Sequence, residues 1–219
     1  MNVKTVPWDD VAQATADTLT MLGFSTVFTV AAGLPLGVLV FLFSKGQLLE
    51  NRALYTALSS VINLFRSVPF VILMIALIPL TRLLVGTSIG VQGTIPPLVI
   101  GAAPFFARIV EQSLREVDRG VIEAAQAMGA SPWQIVTKVL LPEARPGLIG
   151  GITITAIVLV AYTAMSGLIG GGGLGDLAIR YGYNRFRTDI MVITVAILVI
   201  LVVILQTAGD RLVAKYSRK

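Results

Sequence analysis

Cysteine and histidine are both absent from this 219-residue chain. Without cysteine there is no disulfide framework and no thiolate metal site. Without histidine the commonest general base and the commonest metal ligand are gone as well. Charge is scarce: Asp, Glu, Lys and Arg make up 13% of the residues, against 55% hydrophobic. That balance excludes an ordinary soluble domain and fits a polytopic membrane protein. No Asp or Glu lies well inside an apolar run. Proton-driven secondary transporters commonly keep such a carboxylate at mid-depth, so this chain lacks an engine of its own. Low-complexity tracts and a separate soluble domain are also missing. A net charge of +5 would suit nucleic acid. The basic residues do not form one patch, however; they edge the apolar runs, where a membrane protein places them.

What is present is a set of apolar runs. A helix needs about 20 apolar residues to cross a bilayer. Five runs qualify, at about 18–43, 57–83, 91–114, 148–169 and 190–209. The second opens with a more polar turn, "NRALYTALSS", that suits an amphipathic lead-in at the interface. Asp9, Asp10 and Asp17 precede the first run, which is far longer than a signal peptide's apolar core, so it reads as a retained span. The expected fold class is all-α: one transmembrane domain over 1–219, with five spans and a loop at 115–147.

An odd number of spans puts the termini on opposite sides. With the C-terminus in the cytoplasm, Lys45, Arg52, Arg108, Arg115, Arg119, Lys138, Arg145, Arg211, Lys215, Arg218 and Lys219 lie inside. Lys4, Arg82, Arg180, Arg185 and Arg187 lie outside. Eleven against five favours this orientation by the positive-inside rule.

The loop between spans three and four is built for water. In "EAAQAMGASPWQIVTKVLLPEARPG", residues 123–147, two short helices are expected around a glycine. Gly129 is placed for a left-handed C-cap. Ser131 then acts as N-cap, with Pro132 at the first helical position. Ile135, Val136, Val139 and Leu140 recur at helical spacing and give the second helix a buried face. That helix is expected to end near Pro142, with Pro146 and Gly147 breaking the chain before span four.

The order of EAA, Gly four residues after the second Ala, and Leu-Pro twelve further on resembles the EAA loop of ABC importer permeases. In that family the loop carries a coupling helix that docks on a cytoplasmic ATPase subunit. The resemblance implies a type I importer fold and a docking surface of Glu123, Ala124, Ala125, Met128, Gly129, Ala130 and Ser131. It also implies that the chain is not itself an enzyme. ATP and Mg would belong to the partner, and this chain would hold no cofactor or metal. "GGGGLGD" at 170–176 lacks the lysine of a phosphate loop.

Four further segments, 63–90, 101–114, 164–186 and 205–219, resemble the permeases of methionine ABC importers. They imply import of L- and D-methionine across the bacterial inner membrane by a homodimer of this chain. Two ATPase subunits and an external methionine-binding lipoprotein would complete the assembly. A permease for another amino acid, a self-powered secondary transporter and a membrane scaffold are the alternatives.

The expected pathway residues are Phe65, Arg66 and Pro69 from span two, with Tyr162, Met165 and Ser166 from span four. Arg66 either snorkels to the cytoplasmic interface or stands at the inner mouth of a pathway, where Pro69 bends the helix. Gly170 to Gly173 suit a flexible or closely approached loop. The segment after them is expected to lie as an amphipathic piece on the outer surface. Tyr181, Tyr183 and Phe186 there suit an interface belt. Alternatively, Arg180, Arg185 and Arg187 dock the acidic patches of a binding protein.

Overall fold

The structure, a computed structural model, describes residues 6–217. Lys4, Arg218 and Lys219, three of the charges used to orient the chain, lie outside the described residues. Every regular element among the described residues is helical. Four helices are long and apolar enough to cross a membrane: α1 (Trp8–Phe43), α5 (Gly90–Arg115), α9 (Arg145–Ser166, running on to Ile169 as a 3-10 turn) and α11 (Thr188–Tyr216).

The span expected over 57–83 is broken instead. It divides into α2 (Arg52–Ser67), α3 (Phe70–Ala76) and α4 (Ile78–Val85). α2 and α3 meet at 103°. The cause is local. Val68 precedes a proline and adopts φ −83, ψ 127, the extended conformation that prolines impose on the residue before them. Pro69 then opens α3. Counting this bent pair as one span gives five crossings.

α5 forms the centre of the bundle. Gly33 and Gly37, four apart on α1, set that helix directly against it. A methyl on Gly33 would come 2.9 Å from the Ala103 carbonyl oxygen, and one on Gly37 would come 2.5 Å from that of Ala107. Small residues at such spacing let helices approach closely in lipid, where no hydrophobic force drives them together. α9 uses Gly151 in the same way against Ile109 and Phe106 of α5. α11 closes on α9 where Gly209 meets Thr153.

The two ends of the bundle are built differently. One end gathers the loop 44–51 and the connecting segment between α5 and α9. That segment holds α6 (Arg119–Ala127), α7 (Pro132–Ile135), a π-helical turn (Val136–Leu140) and α8 (Leu141–Glu143). The other end gathers the start of α1, the turn at 86–90 and the chain after α9. There α10 (Gly173–Leu177) and a π-helical turn (Ala178–Tyr183) lead into α11.

Candidate functional site

The segment 115–147 folds as two helices joined at a tight turn. Asp118 opens α6, its Oδ1 accepting the Gly120 N–H at 2.6 Å. α6 closes with a double reversal: Gly129 N–H donates to the Gln126 carbonyl at 2.9 Å and Ala130 N–H to that of Ala125 at 3.1 Å. Gly129 takes φ +78, as its place after the helix requires. Ser131 and Gln134 then form a reciprocal cap at the start of α7.

The second helix does not stop at Pro142. That residue has no N–H for the Lys138 carbonyl, and the helix widens over the preceding turn. The Leu141 N–H reaches back five residues to Val136. Pro146 does not break the chain either. It occupies the first turn of α9, which runs on from Arg145. Gly147 is there for space, since a methyl would lie 2.8 Å from Ser113 Oγ of α5.

The inner face of this elbow is part of the bundle core. Ile122, Ala125, Ile135, Val136 and Leu140 are buried in one cluster with Val38 and Phe41 of α1 and with Phe106, Val110 and Leu114 of α5. Each fully buried Leu or Ile contributes about 1.5–3 kcal/mol, so the elbow is a rigid extension of two spans. Its outer face carries Glu123, Ala124, Met128, Gly129 and Ser131, all exposed. Ala125 points the other way, 4% exposed, and Ala130 packs partly on the core. Trp133 belongs with the exposed group and was not among the expected residues. It is 73% exposed beside Met128 at 82%. A tryptophan in the first turn of a capped, water-facing helix is the signal that would have found it.

A second missed feature is Glu111. It lies three residues inside the expected end of span three and is buried. Its two oxygens meet Arg108 at 2.6 Å and Arg115 at 2.7 Å. Arg108 also donates to the Ser59 carbonyl at 3.3 Å and to Asn63 Oδ1 at 3.2 Å. This ionic group ties α2 to α5 directly above the elbow.

Three of the six expected pathway residues come together. Phe65, Arg66 and Tyr162 line one cavity of about 140 Å³ at the α2–α3 break, with Phe70, Gly101 and Phe105. The Phe70 and Tyr162 rings stack at 3.9 Å and 2°. Gly101 makes room for that stack, because a methyl there would lie 3.2 Å from the Phe70 ring. Pro69 creates the break without lining the cavity. Met165 is exposed on α9. Ser166 is fully buried, and its hydroxyl donates to the Thr163 carbonyl at 2.7 Å.

The four-glycine loop is closely approached rather than free. Gly170, Gly172 and Gly173 have φ of +79, +80 and +78. A methyl on Gly171 would sit 2.6 Å from Ser166 Oγ. Only the latter part of the segment after it reaches the surface. α10 is buried between α1 and α9: Leu174 N–H donates to Thr18 Oγ1 at 2.9 Å, and Gly175 sits on the Ala164 backbone. Of the three arginines expected outside, Arg180 pairs with the buried Asp176 at 2.6 Å and Arg187 with Asp189 at 2.6 Å. The bond to Asp189 raises the Arg187 guanidinium above its ordinary pKa. Arg185 lies 4.5 Å over the Tyr181 ring. Tyr183 and Phe186 project from this end, Phe186 with φ +55 and 89% exposed.

A small helical bundle with a broken second span, a capped elbow and a glycine-rich return defines the class: the membrane permease of an ABC importer. An amino acid ABC transporter crystallised with histidines shares this fold, with a TM-score of 0.75 at 20% identity over 94% of this chain and 93% of that one. Residues 33–219 match the model of the binding-protein-dependent transport system inner membrane component family, and the chain belongs to that family. Its relatives include the probable D-methionine transport system permease protein MetI of Vibrio cholerae. The two are 51% identical over 96% of this chain and 94% of the relative. The methionine import system permease protein MetP of Bacillus subtilis is 51% identical over 78% of each chain. A chain from the inward-facing MetNI methionine ABC transporter, solved as a native crystal form, superposes with a TM-score of 0.96. It is 48% identical over the full length of both.

Proposed function

We propose that this chain is the membrane-spanning permease of an ATP-driven methionine importer. It works as a homodimer, with two cytoplasmic ATPase subunits and an external methionine-binding lipoprotein. The N-terminus lies outside and the C-terminus in the cytoplasm. ATP and Mg act on the ATPase subunits, and no covalent chemistry takes place here. The observation that carries this reading is the elbow: a capped helix pair with Met128 and Trp133 exposed outside and its other face fixed to α1 and α5. The methionine systems of the relatives above supply the substrate.

The mechanism is alternating access. When the ATPase subunits close on ATP they carry the two elbows toward each other. Because Ile135 and Leu140 are packed on Phe41, Val110 and Leu114, that movement reaches α1 and α5 together. The cytoplasmic mouth shuts and the outer mouth opens to the loaded binding protein; hydrolysis reverses both. The docking residues are Glu123, Ala124, Met128, Gly129 and Ser131, with Ala125 and Ala130 beneath them as their support. Arg185, with Arg180 and Arg187 held beside it by their own carboxylates, meets the binding protein.

The cavity at the α2–α3 break is the pathway station. Arg66 offers a cation for the amino acid's carboxylate, while Phe65, Phe105 and the Tyr162–Phe70 stack offer aromatic surface. A thioether makes favourable contacts of about 0.3–1.5 kcal/mol with such rings. The test is uptake of labelled methionine by liposomes holding the reconstituted complex. ATP-dependent accumulation supports the reading. Equal uptake by the permease alone, without ATPase subunits, would overturn it in favour of a self-powered carrier.

A further inference from the structure

α2 presents three different faces along its length. Tyr55, Leu58 and Ile62 pack with Val40 of α1 and Ala107 of α5. Leu54, Val61 and Leu64 are exposed on a second face, an apolar one suited to lipid. Thr56, Ser60, Asn63 and Ser67 make the third, and all four are exposed. They follow one another at helical spacing, so they stack on one side of the helix.

The third face is out of place in hydrocarbon. Asn63 Oδ1 meets Arg108 at 3.2 Å, and Arg108 lies seven residues, roughly 10 Å, inside the Arg115 end of α5. An unpaired hydroxyl or amide at such depth costs several kcal/mol if lipid covers it. Other hydroxyls in the spans avoid that cost by bonding back to their own helix. Thr155 donates to the Gly151 carbonyl at 2.7 Å, and the exposed Thr207 of α11 to that of Val203 at 2.7 Å. Ser67 does the same toward Asn63 at 2.8 Å. Thr56 and Ser60 do not. Among the described residues, neither hydroxyl has a hydrogen-bond partner, and the Asn63 amide nitrogen has none either. The face also joins two cavities. At its elbow end Thr56 lines one of about 590 Å³, with Lys45, Arg52 and Arg115. At its other end, beside Ser67, Arg66 lines the cavity at the α2–α3 break.

We infer that Thr56, Ser60, Asn63 and Ser67 form one wall of a water-filled passage between these cavities, along which the zwitterionic amino acid leaves for the cytoplasm. The inference rests on the function proposed above and adds its inner route. Neutral hydroxyls and an amide suit such a wall. They stand in for the water around a carboxylate and an ammonium, yet bind neither tightly enough to retain it. The chain has no cysteine, so single thiols can be placed without background. Ser60→Cys, Asn63→Cys, Val61→Cys and Leu64→Cys are each assembled with cysteine-free ATPase subunits in lipid nanodiscs. A charged, membrane-impermeant thiol reagent then reaches both sides, and the intact mass of this chain reads the labelling rate.

Without nucleotide, Ser60→Cys and Asn63→Cys label at least about tenfold faster than Val61→Cys and Leu64→Cys, because the thiolate reacts and each unit of thiol pKa raised by burial is a factor of ten. Trapping the ATPase subunits closed on ATP shuts the passage and slows both polar-face positions by about the same factor. Ser60→Cys replaces one atom and carries the test should Asn63→Cys fail to assemble. Equal rates on the two faces overturn the passage. Slow labelling of the polar face in both states assigns it to a seam between two copies of this chain and also overturns it. Fast labelling that ATP leaves unchanged assigns it to a static crevice and overturns the route. None of these results alters ATP-dependent methionine uptake by the wild-type complex, and loss of that uptake would leave the labelling contrast between the faces standing, so the two readings fail separately.

Discussion

The two ends of this bundle solve the same problem by different means. Each must finish several helices and turn the chain, and so must satisfy the backbone groups that helix ends leave open. At the elbow end, side chains do this: Asn51 for α2, Asp118 for α6, and Ser131 with Gln134 for α7. At the other end, α1, α5, α10 and α11 all begin without a side-chain cap. There the chain is closed by backbone contacts across the fold. Gly90 N–H donates to the Gly170 carbonyl at 2.9 Å and Gly171 N–H to that of Ser166 at 2.9 Å. The self-capped end can present a free surface to a partner and keep its shape. The glycine end holds its shape only while its neighbours stay in place, which suits the opening proposed for it.

That contrast can be broken by four substitutions. Gly175→Val should have the largest effect, because its side chain would overlap the Ala164 backbone. We expect a loss above about 3 kcal/mol, seen as a collapse of the monodisperse peak when detergent extracts are sized. Glu111→Gln comes next. It leaves Arg108 and Arg115 without their carboxylate and should cost about 2 kcal/mol in thermal unfolding. That is less than a fully buried pair, because Arg115 remains 43% exposed.

Gly129→Val should leave the sizing profile intact and fail elsewhere. A β-branched residue at φ +78 carries about 1–3 kcal/mol of strain. Docking of the ATPase should weaken about tenfold, with uptake falling in step; wild-type uptake would remove the elbow from the mechanism. Ser131→Ala should cost only about 1 kcal/mol, measured as a lower unfolding temperature. If Gly175→Val folds normally while Gly129→Val does not, the contrast between the ends is reversed.

The elbow was legible in the sequence because its instructions are local. The Gly129 turn, the Ser131 cap and the apolar spacing of Ile135 to Leu140 each act within a few residues. The class of the fold and four of the crossings followed from apolar run length for the same reason. Hydropathy missed the division of the second span, since it averages over Val68 and Pro69 where the backbone turns by 103°. It also passed over Glu111, whose burial depends on arginines one turn away on either side. The course of α10 was illegible because its place is set by distant partners, Thr18 on α1 and Ala164 on α9. Phe65, Arg66 and Tyr162 were named together as pathway residues, and the break at Pro69 explains why they share a cavity. The burial of Ser166 was illegible because a hydroxyl in a span reads the same whether it faces water or its own helix.

The burial of the elbow's inner face also limits how such proteins can be recombined. Grafting residues 119–143 onto another permease would bring the proposed ATPase-facing surface but not its seat. Val38, Phe41, Phe106, Val110 and Leu114, which grip the elbow, all lie outside the graft, the two on α1 at 81 and 78 positions before residue 119 and the three on α5 at 13, 9 and 5 positions before it. A working chimaera therefore has to exchange the ends of the first and third crossings together with the motif they cradle.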